Sequence, residues 1–173
     1  MTVPAEILST PRLRLRHLSV QDAAFILELL NEKPYLENIG DRGVRNLADA
    51  EAYITNGPIA SYQEFGFGLY AVERKEPAKL IGICGLLKRE YLDDVDLGFA
   101  LLQRFWGQGY AQEAAETMMQ HARVKLGLRR IVATAKPHNR DSEKLLKKIG
   151  FRFERMIQTP KSDTESKLFS SEP

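Results

Sequence analysis

Leucine and arginine alternate in Arg12-Leu13-Arg14-Leu15-Arg16, so a period of two puts the leucines on one face and predicts a first strand with one wet face. Ser19, with Asp22 three residues on, reads as a helix start. Phe25, Ile26, Leu29 and Leu30 supply its apolar stripe, and the helix is expected to end near Asn31, ahead of Pro34. Residues 33–45 contain Pro34, Gly40 and Gly43 with no sustained period and read as a loop. Asn46 and Asp49 then open a second short helix through Ile54, followed by turn residues at Asn56-Gly57-Pro58.

Three apolar runs, 68–73, 80–87 and 95–102, are joined by short polar segments and predict an antiparallel meander. From Gly109 on, Ala111, Ala114, Ala115, Met118, Met119, Ala122 and Leu126 recur at helical spacing, with Gly127 as the closing cap. Ile131-Val132-Ala133-Thr134-Ala135 reads as a buried strand, 139–149 as a helix closed by Gly150, and 151–157 as a strand. Residues 159–173 are polar except Leu168 and Phe169 and read as one short strand or a frayed tail. The order is β-α-α-β-β-β-α-β-α-β with an optional last strand, without repeats or long linkers.

Composition narrows this picture. A chain of 173 residues with 43% hydrophobic content suffices for one well-buried domain, expected to span 1–173 with its core at about 10–158. The net charge, 25 − 23 = +2, is too small to mark a nucleic-acid binder. Cys84 stands alone in an apolar run, which excludes an intrachain disulfide and predicts a buried structural thiol. With no signal-like segment and no apolar span long enough for a membrane, the expectation is a cytoplasmic protein without membrane contact. His17, His121 and His138 fall on different elements without ligand spacing, so no metal site is expected.

The chemistry concentrates in Gln103-Arg104-Phe105-Trp106-Gly107-Gln108-Gly109-Tyr110-Ala111, which an apolar strand enters and the long amphipathic helix leaves. Unpaired N–H groups and the positive dipole end at a helix start attract anions, and glycines let a phosphate approach the main chain. The spacing Arg-x-x-Gly-x-Gly is neither the dinucleotide fingerprint nor the nucleotide-triphosphate loop. A helix entered through an ordinary glycine turn is the plain alternative.

This loop resembles the pyrophosphate loop of the GNAT superfamily of N-acetyltransferases, Gln/Arg-x-x-Gly-x-Gly/Ala, with Arg104, Gly107 and Gly109 in the defining positions. The flanking runs Leu97-Gly98-Phe99-Ala100-Leu101 and Tyr110-Ala111-Gln112-Glu113-Ala114 resemble the branch typified by ribosomal-protein N-terminal acetyltransferases. A second block, Asn139-Arg140-Asp141-Ser142 through Gly150-Phe151, resembles the family's Asn-x-x-Ser/Ala…Gly-Phe segment, and the likeness is strongest over 80–153. It implies an α/β (α+β) fold: a mixed central sheet of six to seven strands whose fourth and fifth strands splay apart, flanked by about four helices.

The resemblance further implies acetyl-CoA as acyl donor and direct attack by a primary amine in a ternary complex, without metal or covalent enzyme intermediate. The amine is either a protein N-terminus or a small molecule. Phe99, Ala100 and Leu101 would offer main-chain groups to the pantetheine arm, the Leu101 amide polarising the thioester carbonyl. Arg104, Gly107, Gln108, Gly109, Tyr110 and Ala111 would hold the pyrophosphate, with Asn139, Arg140 and Ser142 as further contacts. The tyrosine acid common in the superfamily is replaced by Leu146, and the resemblance to the ribosomal-protein branch implies that Ser142 stabilises or protonates the departing sulfur instead.

An alkylammonium with a pKa near 10 must lose a proton before attack. Asp96 and Glu154 occupy positions where the family often carries glutamates, and Asp96 is the candidate base. Plainer roles compete: Asn139 as helix cap, Ser142 as a first-turn residue, 95–102 as a core strand, and Trp106 packed beneath the loop. Residues 33–45 and the strands after Phe151 are expected on the acceptor side, although Arg155 stands where the family often has glycine. The alternative function is a non-catalytic acyl-CoA sensor or interaction module of the same fold. A monomer or homodimer is expected.

Overall fold

Alternating apolar positions pair into one eight-stranded sheet in the computed structural model, which describes residues 4–173. The strands are β1 (Glu6–Ser9), β2 (Leu13–His17), β3 (Leu69–Arg74), β4 (Lys79–Leu87), β5 (Val95–Leu101), β6 (Ile131–Ala135), β7 (Arg152–Gln158) and β8 (Glu165–Ser171). Their spatial order is β1-β2-β3-β4-β5-β6-β8-β7, and only β5 with β6 runs parallel. The α-helices are α1 (Ala23–Leu30), α2 (Lys33–Asn38), α3 (Leu47–Ile54), α4 (Ala60–Phe65), α5 (Tyr110–Val124) and α6 (Arg140–Lys148).

Three sequence expectations are corrected, and of the two alternatives for the tail the strand is the one found. A strand, β1, precedes the Arg12 alternation and covers the β2 edge; at four residues it is too short to show a period. Residues 33–45 are not all loop, because Pro34 sits in the first turn of α2, where its missing amide has no intrahelical partner to lose. Gly57 and Pro58 do not end the second helix: a π turn, Thr55–Ile59, carries the chain through them from α3 into α4. The tail forms β8, a full seven-residue strand between β6 and β7, in which the small side chains of Ser166 and Ser171 are buried beside Leu168 and Phe169.

The splay exists, shifted by one strand because of β1. The β5–β6 ladder is registered only at Val95↔Ile131 and Asp96↔Val132, although the strands are seven and five residues long. Beyond that point β6 remains paired with β8 and β5 with β4.

The core gathers Leu13, Leu15, Ile26, Leu29, Ile54, Ile81, Leu86, Leu102 and Met118, each fully buried and contributing about 1.5–3 kcal/mol by removal from water. Helix α5 buries Ala114, Ala115, Met118 and Ala122 and packs on β2, β4 and β5. Helix α4 is fastened separately. The Tyr62 ring stacks on His17 at 4.1 Å, while its hydroxyl donates to the Leu69 carbonyl and accepts the Leu18 amide at 3.1 Å. Among the described residues no helix is long and apolar enough to cross a membrane.

Candidate active site

Because β5 and β6 run parallel, their C-terminal ends reach the same edge of the sheet, one on each side of the opening. From β5 the chain passes a 3-10 turn, Gln103–Phe105, and the glycine loop into α5; from β6 it turns directly into α6. Topology therefore brings the two motif blocks together. Gly107 and Gly109 have φ of +73° and +82°, values that side chains with a Cβ adopt only under strain. The first bond inside α5 runs from the Glu113 N–H to the Gly109 carbonyl at 3.1 Å. The amides of Tyr110, Ala111 and Gln112 thus stand at the open, positive end of the helix.

Arg12 braces this loop from outside the motif. Its Nη1 donates to the Gln108 carbonyl at 2.9 Å, its Nε to Glu113 Oε1 at 2.8 Å, and its guanidinium lies 4.4 Å over the Tyr110 ring. A Cβ built on Gly109 would meet Arg12 Nη2 at 3.2 Å. Burial works to raise the Glu113 carboxyl, but hydrogen bonds from Thr10 and Arg12 outweigh it and hold the group below the usual carboxylate range. Sequence pattern put Arg12 only on the wet face of a strand; no local signal tied it to a loop almost a hundred residues away.

Arg104 takes a different course from the one its motif position suggests. Its Nη1 meets Glu28 of α1 at 2.6 Å, and the Gln103 amide donates to Glu32 at 2.9 Å, so the loop's own cation is spent on α1. Trp106 is not packed beneath the loop: it is 42% exposed, with its indole N–H donating to the Leu101 carbonyl at 2.9 Å.

Along β5 the Leu102 amide donates to Ile81 at 2.9 Å. In an antiparallel ladder that alternation assigns the main-chain groups of Ala100 and Gly98 to β4 and turns those of Phe99 and Leu101 toward the opening. Of the three expected main-chain contacts, Ala100 therefore has its N–H and C=O committed within the sheet. At α6, Asn139 is the cap: its Oδ1 accepts the Ser142 amide at 3.2 Å and its Nδ2 donates to Ser142 Oγ at 2.9 Å. A hydroxyl that accepts this bond keeps its own proton to donate. Arg140 is exposed on the first turn, Leu146 is buried, and His138 Nε2 lies 3.1 Å from Asn38 Oδ1, linking this turn to α2.

A cavity of about 550 Å³ opens beside Gly98, Phe99 and Ala100, walled by α2, the loop after it, α3, the π turn, α4 and the β4–β5 turn. Tyr35, Ile39 and Arg42 bring 33–45 to its wall, whereas no residue beyond Ala100 lines it, so the strands after Phe151 do not. Two of the lining glycines are closely packed: a Cβ on Gly68 would lie 2.8 Å from the Tyr62 ring and one on Gly98 2.8 Å from Leu87 Cδ1.

Asp96 shares the Gly98 face but does not line the cavity. It is 2% exposed, its Oδ2 accepts Arg89 Nε at 2.7 Å, and its Oδ1 is buried without a partner. Burial pushes its carboxyl up to about 6 against the opposing pull of Arg89. A carboxylate committed to Arg89 is not placed to take a proton from a molecule in the cavity. Glu154 is farther removed, in a two-pronged pair with Arg130 at 2.6 and 2.8 Å. Burial pushes the Cys84 thiol up to about 12, as for an inert structural cysteine. Among the described residues no three His, Cys, Asp or Glu side chains are grouped to hold a metal.

The family model for the acetyltransferase (GNAT) domain matches residues 12–152. YoaA, an uncharacterized N-acetyltransferase of Bacillus subtilis (strain 168), is 29% identical over 154 residues, covering 88% of this chain and 86% of YoaA. Two solved structures superimpose at a TM-score of 0.83. The Microcin C7 self immunity acetyltransferase MccE, in complex with acetyl-CoA and AMP, is 17% identical and covers 99% of this chain and 98% of its own. RimL, a ribosomal L7/L12 alpha-N-protein acetyltransferase in complex with coenzyme A, is 16% identical and covers 97% and 98%. At these identities the two structures speak to fold alone.

Proposed function

The chain belongs to the acetyltransferase (GNAT) family, and from that premise we propose that it acts as a single domain transferring the acetyl group of acetyl-CoA to a primary amine. The observation that carries the proposal is the opening between β5 and β6, flanked by the positive-φ glycine loop at the start of α5. Acetyl-CoA would supply the activated acetyl group. In this reading the amides of residues 107–111 hold its pyrophosphate, and the outward main-chain groups of Phe99 and Leu101 take the place of a strand partner for the pantetheine arm.

The Leu101 N–H then donates to the thioester oxygen, where charge develops. Ser142, oriented by Asn139, donates its proton toward the departing sulfur. Arg140, exposed at the same edge, supplies charge for the outer phosphate. Asp96 serves as the positioning partner of Arg89, and the proton lost by the amine passes to water in the open cavity. The chemistry rests on positioning and on preorganised donors.

Calorimetric titration with acetyl-CoA, compared with 3′-dephospho-CoA, tests the assignment. Saturable binding, weaker without the 3′-phosphate, is expected, together with thiol release on addition of an accepted amine. A well-folded protein that ignores acetyl-CoA would overturn the assignment, and binding without turnover on any amine would favour an acyl-CoA sensor.

A further inference from the structure

The cavity beside β5 has a chemistry that the glycine loop does not explain. Its lining includes Tyr35, Tyr53, Phe65 and Tyr91, and two arginines enter it from different segments: Arg42 from the loop after α2, Arg89 from the β4–β5 turn. Arg89 is held in place, its Nε on the buried Asp96 at 2.7 Å, and no second carboxylate meets its guanidinium among the described residues. Arg45 nearby is paired with Asp41, whereas Arg42 has neither an ion pair nor a hydrogen bond among the described residues.

Arg42 and Arg89 line the same cavity as Tyr53 and Tyr91, and both arginines act electrostatically on each of these phenols. The other cation there, Lys88, is occupied, its Nζ donating to the Leu92 and Asp93 carbonyls at 3.2 Å each. Glu64 and Glu90 also line the cavity, but both are exposed, where water and salt screen them.

Two guanidinium groups facing one cavity suit an oxyanion that accepts paired charge-assisted hydrogen bonds, a carboxylate or a phosphate, and of these the carboxylate is the one commonly found beside an amine. A polyamine would meet repulsion there, and a protein N-terminus carries no carboxylate beside its amine. The volume is that of a small-molecule site. We infer that the acceptor is an amine that also bears a carboxylate, of amino-acid size, with Arg42 and Arg89 holding the carboxylate while the amine faces the thioester site at Leu101. This rests on the acetyl-transfer reading above for the identity of the reacting group, not for the anion site.

The test is product-side binding. A panel of N-acetylamino acids and their matched carboxamides is titrated calorimetrically into the protein, with and without coenzyme A. The best acid should bind at least about tenfold more tightly than its amide, the scale of one charge-assisted hydrogen bond. Arg42→Gln should remove most of that preference without lowering the melting temperature. Arg89 is probed as Arg89→Gln with Asp96→Asn, so that no buried carboxylate is left unpaired, and the preference should fall again. Amides binding as well as acids, or a preference unchanged in both variants, overturns the inference. Acetyl-CoA titrated into the same preparation separates the two claims. An acid preference without acetyl-CoA binding sinks acetyl transfer and leaves the anion site standing, whereas acetyl-CoA binding without an acid preference sinks only the anion site.

Discussion

The two sides of β5 differ in what they are made of. At the opening toward β6, the groups on offer are main chain: amides at the start of α5, the N–H and C=O of Phe99, and the N–H of Leu101, whose carbonyl is taken by Trp106. In the cavity they are side chains, drawn from α2, the 39–46 loop, the α3–α4 run and the β4–β5 turn. Main-chain sites depend on where glycine and the helix start fall; side-chain sites depend on which residues distant segments bring together. The first kind leaves a short local pattern and the second does not.

The comparison can be broken by experiment, beginning with the largest effect. Asp96 lies on the side-chain side, and its carboxyl rises from 3.8 to about 6 on folding. A carboxyl raised in the native state binds its proton more tightly there than in the unfolded chain. Its contribution to stability therefore falls as pH climbs from about 4 to about 6 and stays low above that. The shift corresponds to up to about 3 kcal/mol. Unfolding of the wild type and of Asp96→Asn, measured across that interval, should give a difference that moves against the wild type with rising pH. A pH-independent difference would show that Asp96 is not buried as a charge.

Next comes Gly109→Val, which places a β-branched residue at φ +82° and a side chain where a phosphate must approach. Acetyl-CoA affinity should fall by about 30- to 100-fold, roughly 2–2.7 kcal/mol, in a protein that still melts cooperatively. On the role proposed for its hydroxyl in the chemical step, Ser142→Ala should lower kcat about tenfold with Kd for acetyl-CoA nearly unchanged. If Ser142→Ala weakens cofactor binding more than Gly109→Val does, the main-chain account of that edge is wrong. The smallest effect is expected from Arg12→Met. Its pairing with Glu113 is half exposed and worth about 1 kcal/mol or less, so acetyl-CoA affinity should drop only a few-fold, read by the same titration.

Legibility in the sequence follows the same division. The meander, α5, β6 and α6 were readable because alternation, helical spacing and the closing glycines Gly127 and Gly150 act locally. The runs that went unread carry signals that mislead alone, Pro34 at a helix start and Gly57 and Pro58 inside a wide turn; at the tail, serines as buried sheet residues left a strand and a frayed end equally readable. Within the site, the glycine loop and the Asn139 cap were visible as motifs. The turning of Arg104 onto Glu28, the bracing by Arg12 and the burial of Asp96 against Arg89 were not, because each depends on a partner from another element.

The position of β8 between β6 and β7 has a consequence for the order of assembly. Strand β7 comes earlier in the chain, yet among the described residues its only neighbour in the sheet is β8. During synthesis β7 waits unpaired until residues 165–171 emerge, and the edge of β6 facing away from β5 stays bare for the same interval. The final ladder to form is a non-local one, with the loop-closure delay that such pairings carry. A chain from which residues 152–158 have emerged and 165–171 have not holds two unsatisfied strand edges, the form most open to chaperones and to mispairing with a neighbouring copy.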